Sequence, residues 1–185
     1  MYLTELGDHT NIVKLMGIMS SENGRDLYLV FNYMETDLHA VVRANILEEV
    51  HKQYIVYQLL KALKYIHSAD LIHRDIKPSN LLLSKDKKTL KISDFGVSEF
   101  LHAHNDSHLG LRGTVAFLAP ETFGDKAFHA APVDIWAAGV TFFVMLYVWC
   151  YIFLSHIYLT SIHKTKQKPS ERRTPFFFLR CLPSL

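Results

Sequence analysis

An acid, a lysine and an amide at Asp75, Lys77 and Asn80, followed after a short apolar run by a second acid at Asp94, can do one kind of chemistry well. Transfer of a phosphoryl group moves negative charge that must be neutralised and aligned, and it leaves the protein little covalent work. If the residues serve such a transfer, an acid at Asp75 could accept or orient the proton of an attacking hydroxyl, and a lysine at Lys77 could offset charge on the moving group. The side-chain oxygens of Asn80 and Asp94 are hard ligands suited to magnesium. Asp75, Lys77 and Asn80 are therefore the candidate catalytic residues, and Asn80 and Asp94 the candidate metal ligands.

These residues lie in the runs His73-Arg74-Asp75-Ile76-Lys77-Pro78-Ser79-Asn80 and Asp94-Phe95-Gly96, with Ala119-Pro120-Glu121 further on. Each tripeptide alone recurs by chance, whereas their order and separation together are specific. The set resembles the eukaryotic serine/threonine protein kinases. The resemblance implies an α+β chain with a truncated bilobal fold. A remnant antiparallel sheet of the small lobe and the hinge would occupy residues 1–34, and a mainly helical large lobe residues 35–146. Residues 147–185 read as a tail outside the kinase pattern, apolar and then basic.

ATP and Mg2+ are the implied cofactors, and the hydroxyl of serine or threonine on a protein substrate is the implied acceptor of the γ-phosphate. Phe31 would gate the back of the adenine pocket, and Asn32, Tyr33 and Met34 would form the hinge that reads adenine. Asp37 would reach the ribose and Leu82 would cover one face of the base, so Phe31, Met34, Asp37, Leu82 and Asp94 are the candidate nucleotide-binding residues. Without the downstream motifs, Phe31 and Met34 would read as core packing. Arg74 would pair with a phosphate added to the loop between Asp94 and Glu121, with Ser107 as the candidate acceptor. Thr114 would lie in the loop that holds the substrate, and Asp134 would hold the catalytic loop by hydrogen bonds.

Within the family the resemblance is mixed. Met34-Glu35-Thr36-Asp37-Leu38 is similar to mitogen-activated protein kinases, although no Thr-x-Tyr signature occurs between Asp94 and Glu121. From Leu90 onward, through Ser93-Asp94-Phe95-Gly96-Val97-Ser98-Glu99 and Val133-Asp134-Ile135-Trp136, the chain looks more like liver kinase B and the calcium/calmodulin-dependent kinase kinases. The second likeness would make another kinase the protein substrate.

Several elements must position these groups. Residues 11–15 and 27–31 are short apolar runs around the polar cluster 20–26, which predicts two antiparallel strands. Over residues 48–67, Val50, Tyr54, Tyr57, Leu60, Leu63 and Ile66 recur at helical spacing and predict a core-facing helix that delivers the chain to His73. Residues 81–83 and 90–92 predict a hairpin around the polar turn 84–89. The apolar fraction of 49% over 185 residues supports one domain with a real core. A net charge of +2 gives no argument for nucleic acid. With only Cys150 and Cys181, no disulfide framework is implied, and a reducing, cytoplasmic compartment is expected. His102, His104 and His108 come without an accompanying cysteine and read as loop histidines, not a metal site.

Two features weigh against autonomous catalysis. The Gly-x-Gly-x-x-Gly spacing of a phosphate-covering loop occurs nowhere, and Lys14, the sole lysine before Lys52, falls after the place of the phosphate-orienting lysine. Activity of these residues alone is therefore expected to be feeble, which keeps a second reading open: a non-catalytic truncated kinase acting as a binding or competing module. Glu121 also has no recognisable arginine partner, since Arg172, Arg173 and Arg180 lack the matching context. Residues 135–163 carry no acid, lysine or arginine and are long enough to span a bilayer. The first half is accounted for as a central kinase helix buried on all sides, and the basic residues after it would place the catalytic part outside the cell. Membrane association through 135–163 is thus the alternative and not the leading expectation.

Overall fold

The computed structural model describes residues 6, 8–101, 112–124 and 128–147. Its first ordered anchor is not a strand of the expected pair. Asn11 is buried, and its amide donates to Gln58 Oε1 at 2.8 Å and to the Leu90 carbonyl at 2.9 Å. Ile12 bridges in parallel to Ile92, with Val13 N–H donating to the Ile92 carbonyl. The strand expected over 11–15 is therefore displaced: β1 is Leu15–Ser20, and it pairs antiparallel with β2, Leu27–Phe31, through a register irregularity between Leu15 and Gly17. The cause is polar chemistry that a hydropathy run does not reveal. Asn11 is held by a buried amide network, so the chain pairs with distant backbone before the ribbon begins. The turn is where the polar cluster predicts it, with Gly24 in the left-handed region (φ 66°) and Ser21 Oγ accepting from Asp26 N–H.

The chain next forms β3, Thr36–Asp37, and α1, Leu38–Arg43, whose first turn is capped by Asp37 accepting from Ala40 N–H at 2.8 Å. Helix α2 follows over Glu49–Ser68, with a reciprocal cap between Glu48 and His51. The predicted helix is present, but the buried face differs. Ile55, Gln58, Leu59, Ala62, Leu63 and Ile66 are buried, whereas Val50, Tyr54, Tyr57 and Leu60 are exposed. Both stripes are apolar at helical spacing, and Gln58 decides between them. Its amide also donates to the Lys88 carbonyl at 3.1 Å, and its oxygen accepts Leu90 N–H at 3.0 Å, which turns that side inward.

Strand β4, Leu71–Ile72, leads into the loop at 73–77 and a 3-10 turn, Pro78–Asn80. The expected hairpin is β5, Leu81–Leu83, with β6, Leu90–Ile92, and β3 adds to it in the order β3-β5-β6. Strand β7, Glu99–Phe100, pairs with β4 so that Ile72 faces Glu99. Two further 3-10 turns, Val115–Phe117 and Pro120–Phe123, precede α3, Ala131–Leu146. The core gathers Leu38, Leu63, Ile66, Ile72, Ile76 and Leu81, all essentially inaccessible. Each such side chain contributes about 1.5–3 kcal/mol by burial.

Helix α3 is the expected central helix, but it is not enclosed on every side. Val133, Asp134, Ala137, Thr141 and Val144 are buried, while Ile135, Trp136 and Phe142 are exposed. Among the described residues no helix is long and apolar enough to cross a membrane. The apolar run beyond Tyr147, the basic tail with Arg172, Arg173 and Arg180, and the loop with His102, His104, Ser107 and His108 lie outside the described residues.

Candidate active site

The site is hung from one buried carboxylate. Asp134 on α3 is fully buried; its Oδ1 accepts Arg74 N–H at 2.8 Å, and its Oδ2 accepts His73 N–H at 2.8 Å and meets His67 Nε2 of α2 at 2.9 Å. Burying a carboxylate is costly unless donors replace its water, and here two backbone amides and an imidazole do so. These bonds are the ones expected of Asp134. They also support Arg74 in the left-handed region (φ 68°), a conformation that a non-glycine residue keeps only when its surroundings hold it there.

His73 is buried and locked from both ring nitrogens. Nδ1 accepts Asp75 N–H at 3.2 Å, so Nε2 carries the proton and donates to the Ser93 carbonyl at 3.0 Å. Burial lowers its pKa below the ordinary histidine value despite the opposing charges of Asp134, Asp75 and Asp94. Phe95 packs edge-on against the ring, with centroids 4.9 Å apart. The residue types flanking the two acids thus act as a brace that sets where Asp75 points.

Three of the candidate residues come together directly. Asp75 Oδ2 accepts from Lys77 Nζ at 2.7 Å and from Asn80 Nδ2 at 3.1 Å, and the same Asn80 amide holds the Asp75 carbonyl at 2.8 Å. Thr114 completes the cluster from the other side of the chain. Its N–H and hydroxyl donate to Asp75 Oδ1 at 2.9 and 2.7 Å, and its oxygen accepts from Lys77 Nζ at 2.8 Å. Burial alone would raise the Asp75 pKa, but the bonds from Lys77, Thr114 and Asn80 outweigh it and hold the carboxyl below its ordinary range. Asp75 is therefore ionised at neutral pH.

Gly113 makes this convergence sterically feasible. Its φ is 109°, and a Cβ there would lie 2.3 Å from the Arg74 carbonyl oxygen. Only glycine lets this segment press onto the 73–80 loop and bring Thr114 to Asp75. The sequence carries the signal, a glycine directly before Thr114, but nothing local says which backbone it must approach.

The two candidate metal ligands are free in the sense that matters for a cation. Asn80 spends its Nδ2 on Asp75, and among the described residues its Oδ1 takes no hydrogen bond. Asp94, with φ 61°, is exposed and among the described residues receives only a long 3.4 Å bond from Gly96 N–H. No hydrogen bond joins Asp94 to the Asp75 cluster. An amide oxygen and a carboxylate fit a hard divalent ion, which takes its remaining oxygens from phosphate and water. Among the described residues no cluster of three or more histidines, cysteines and acids could hold a metal by itself.

The candidate nucleotide-binding residues are placed in two groups. Asp37 and Leu82 face each other across the β3–β5 ladder, with Leu82 half-buried, and one Asp37 oxygen is occupied by the α1 cap. Phe31 ends β2 opposite Leu15 in the separate two-stranded ribbon, and half-buried Met34 follows it. Lys14 pairs with exposed Asp8 at 3.3 Å. Exposed Glu121 makes no ion pair among the described residues. The Arg74 guanidinium lies against Glu99 at 2.5 Å, and Ser107, the candidate acceptor of a loop phosphate, is outside the described residues.

The loop that Asp134 fixes thus brings an aspartate, a lysine and an asparagine to one place. Residues 1–173 match the protein kinase domain family, and the chain belongs to it. It is 50% identical over 145 residues to extracellular signal-regulated kinase 2 of Dictyostelium discoideum, covering 75% of this chain and 39% of that protein. It is 43% identical over 145 residues to mitogen-activated protein kinase 15 of Xenopus laevis, covering 75% of this chain and 25% of the relative. Against mitogen-activated protein kinase 15 of Caenorhabditis elegans it is 39% identical over 155 residues, covering 79% of this chain and 33% of the relative. The chain thus spans between a quarter and two fifths of the length of these curated relatives. They are of the kind that Met34-Glu35-Thr36-Asp37-Leu38 resembles. Protein kinases as a family use ATP and magnesium.

Proposed function

We propose that residues 73–80, with Asp94 and Thr114, serve transfer of the γ-phosphoryl group of ATP to a serine or threonine hydroxyl of a protein. The observation that carries this reading is the ionised Asp75 carboxylate, hydrogen-bonded at 2.7 Å both to the Lys77 ammonium and to the Thr114 hydroxyl. A carboxylate kept ionised can take or orient the proton of an attacking alcohol. Lys77 lies where it can neutralise charge on the transferred group, and Thr114 sets both at once. When bound, ATP with Mg2+ would supply the transferred phosphoryl, with Asn80 and Asp94 holding the ion and Phe31, Met34, Asp37 and Leu82 the nucleoside. A cytoplasmic setting, where ATP is abundant, follows from the same reading.

The test is calorimetric titration of the whole 185-residue chain with ATP, with and without Mg2+. Saturable binding that requires Mg2+ and is lost in Asp94→Asn is the expected result. No nucleotide binding by a folded sample would overturn it and leave a non-catalytic binding module. If binding holds, Asp75→Asn should slow phosphate transfer to protein by about 10²–10⁴-fold while leaving ATP affinity unchanged.

A further inference from the structure

Residues 8–13 close the outer edge of β6, and a side chain that the chemistry at Asp75 does not use decides how they are held. The Asn11 carbonyl accepts Ile92 N–H at 2.9 Å, the Ile92 carbonyl accepts Val13 N–H at 2.9 Å, and Lys91 Nζ donates to the Thr10 carbonyl at 2.8 Å. The turn that delivers this segment is built on His9. Its Nδ1 accepts Asn11 N–H at 3.0 Å, and its ring stacks on Tyr65 of α2 with centroids 4.7 Å apart. An imidazole can accept there only while Nδ1 is unprotonated, so the neutral ring carries its proton on Nε2. Once Nδ1 gains a proton, two N–H donors face each other across the turn.

The charges around the ring oppose that protonation. Lys61 on α2 and Lys91 on β6 both act on it, while Asp8, the adjoining acid, is paired with Lys14 at 3.3 Å. The face of Tyr65 alone would favour a cation. Partial burial and the two lysines prevail, and the His9 pKa lies below its ordinary value.

We propose that residues 8–13 are a proton-sensitive clasp on β6, held tight while the His9 imidazole is neutral and loosened when it is protonated. The clasp acts on the strand that leads to Asp94: Ile92 loses its outer partner, and the Ser93 carbonyl that receives His73 Nε2–H follows directly. Loosening stays local, because the Asn11 side chain keeps its buried bonds to Gln58 and the Leu90 carbonyl. Protons favour the loosened form, so the clasp is fully tight above about pH 6.5 and weakens as pH falls below it.

The test is amide hydrogen exchange of the whole chain at about pH 7 and about pH 5, corrected for the chemical pH dependence of exchange and read at Asn11, Val13 and Ile92. His9→Asn is the reference, since its amide oxygen can cap the same N–H two residues on and does not titrate. On acidification, protection in the wild type should fall by about three- to tenfold more than in His9→Asn, the worth of one hydrogen bond. His9→Phe, which keeps the stacked ring without the acceptor, should already be loose at the higher pH. A wild-type fall no greater than that of His9→Asn, or full protection in His9→Phe at the higher pH, overturns the proposal. Nucleotide enters no arm, so a negative result here leaves the ATP titration standing, and the converse holds.

Discussion

The loop at 73–80 and the β1–β2 ribbon are built on opposite terms. Around residues 73–80 the side chains of His73, Arg74, Asp75 and Asn80 are buried, Arg74 and the Gly113 that presses on it are held at positive φ, and one carboxylate ties three segments together. The ribbon is held by its own backbone pairing and exposes apolar side chains on both faces, Leu27 at 74% and Met19 at 59% among them. Such a two-stranded ribbon is marginal alone, because little apolar surface leaves water. Precision in this chain therefore resides where polar groups are trapped, and tolerance where apolar groups are left out.

The contrast can be broken most severely at Asp134. Asp134→Ala leaves two buried backbone donors without an acceptor, and a loss of about 3–5 kcal/mol in urea unfolding is expected. Unchanged stability would show that water replaces the carboxylate. Next is a matched pair of glycines. Gly113→Ala must displace the Arg74 carbonyl and should cost roughly 1–3 kcal/mol, with weakened phosphate transfer as the loop backs away. Gly24→Ala meets nothing within 4 Å and carries only the strain of its φ of 66°, about 1 kcal/mol. Equal losses at the two sites would erase the distinction between pressed and open backbone.

A third test uses protons. His73 has a lowered pKa when folded, so the unfolded chain binds more protons and stability must rise with pH. The contribution is complete above the unfolded value near 6.5 and is lost progressively as pH falls below it. The wild type should therefore lose more stability between pH 7 and pH 5 than His73→Gln does. Smallest of all is the effect expected in the ribbon, where Leu27→Thr should change stability by no more than about 0.5 kcal/mol. A loss several times larger would mean that Leu27 is covered in solution.

What could be read in the residues beforehand follows the same division. The order His73-Arg74-Asp75, Asn80 and Asp94 points to the family, and the structure brings Asp75, Lys77 and Asn80 together as that order leads one to expect. The hairpin of β5 and β6 and the extent of α2 are local patterns and are found where expected. The inward face of α2 was not legible, because Tyr54 and Tyr57 mimic a core stripe while Gln58, a polar residue, sits in the core. Its burial depends on Asn11 and Leu90, which are remote in sequence. The start of β1 was displaced for the same reason. The role of Gly113 is not legible locally because it comes from a segment far along the chain, the Arg74 carbonyl that it presses against.

The shared carboxylate at Asp134 has one more consequence, for motion. Since His73 and Arg74 give their amide protons to α3, and α2 reaches the same oxygen through His67, the loop cannot open without disturbing both helices. Deuterium should therefore enter the His73 and Arg74 amides at the pace of the α2–α3 core, as one cooperative unit, while the amides of Ser21 to Asp26 exchange early and independently.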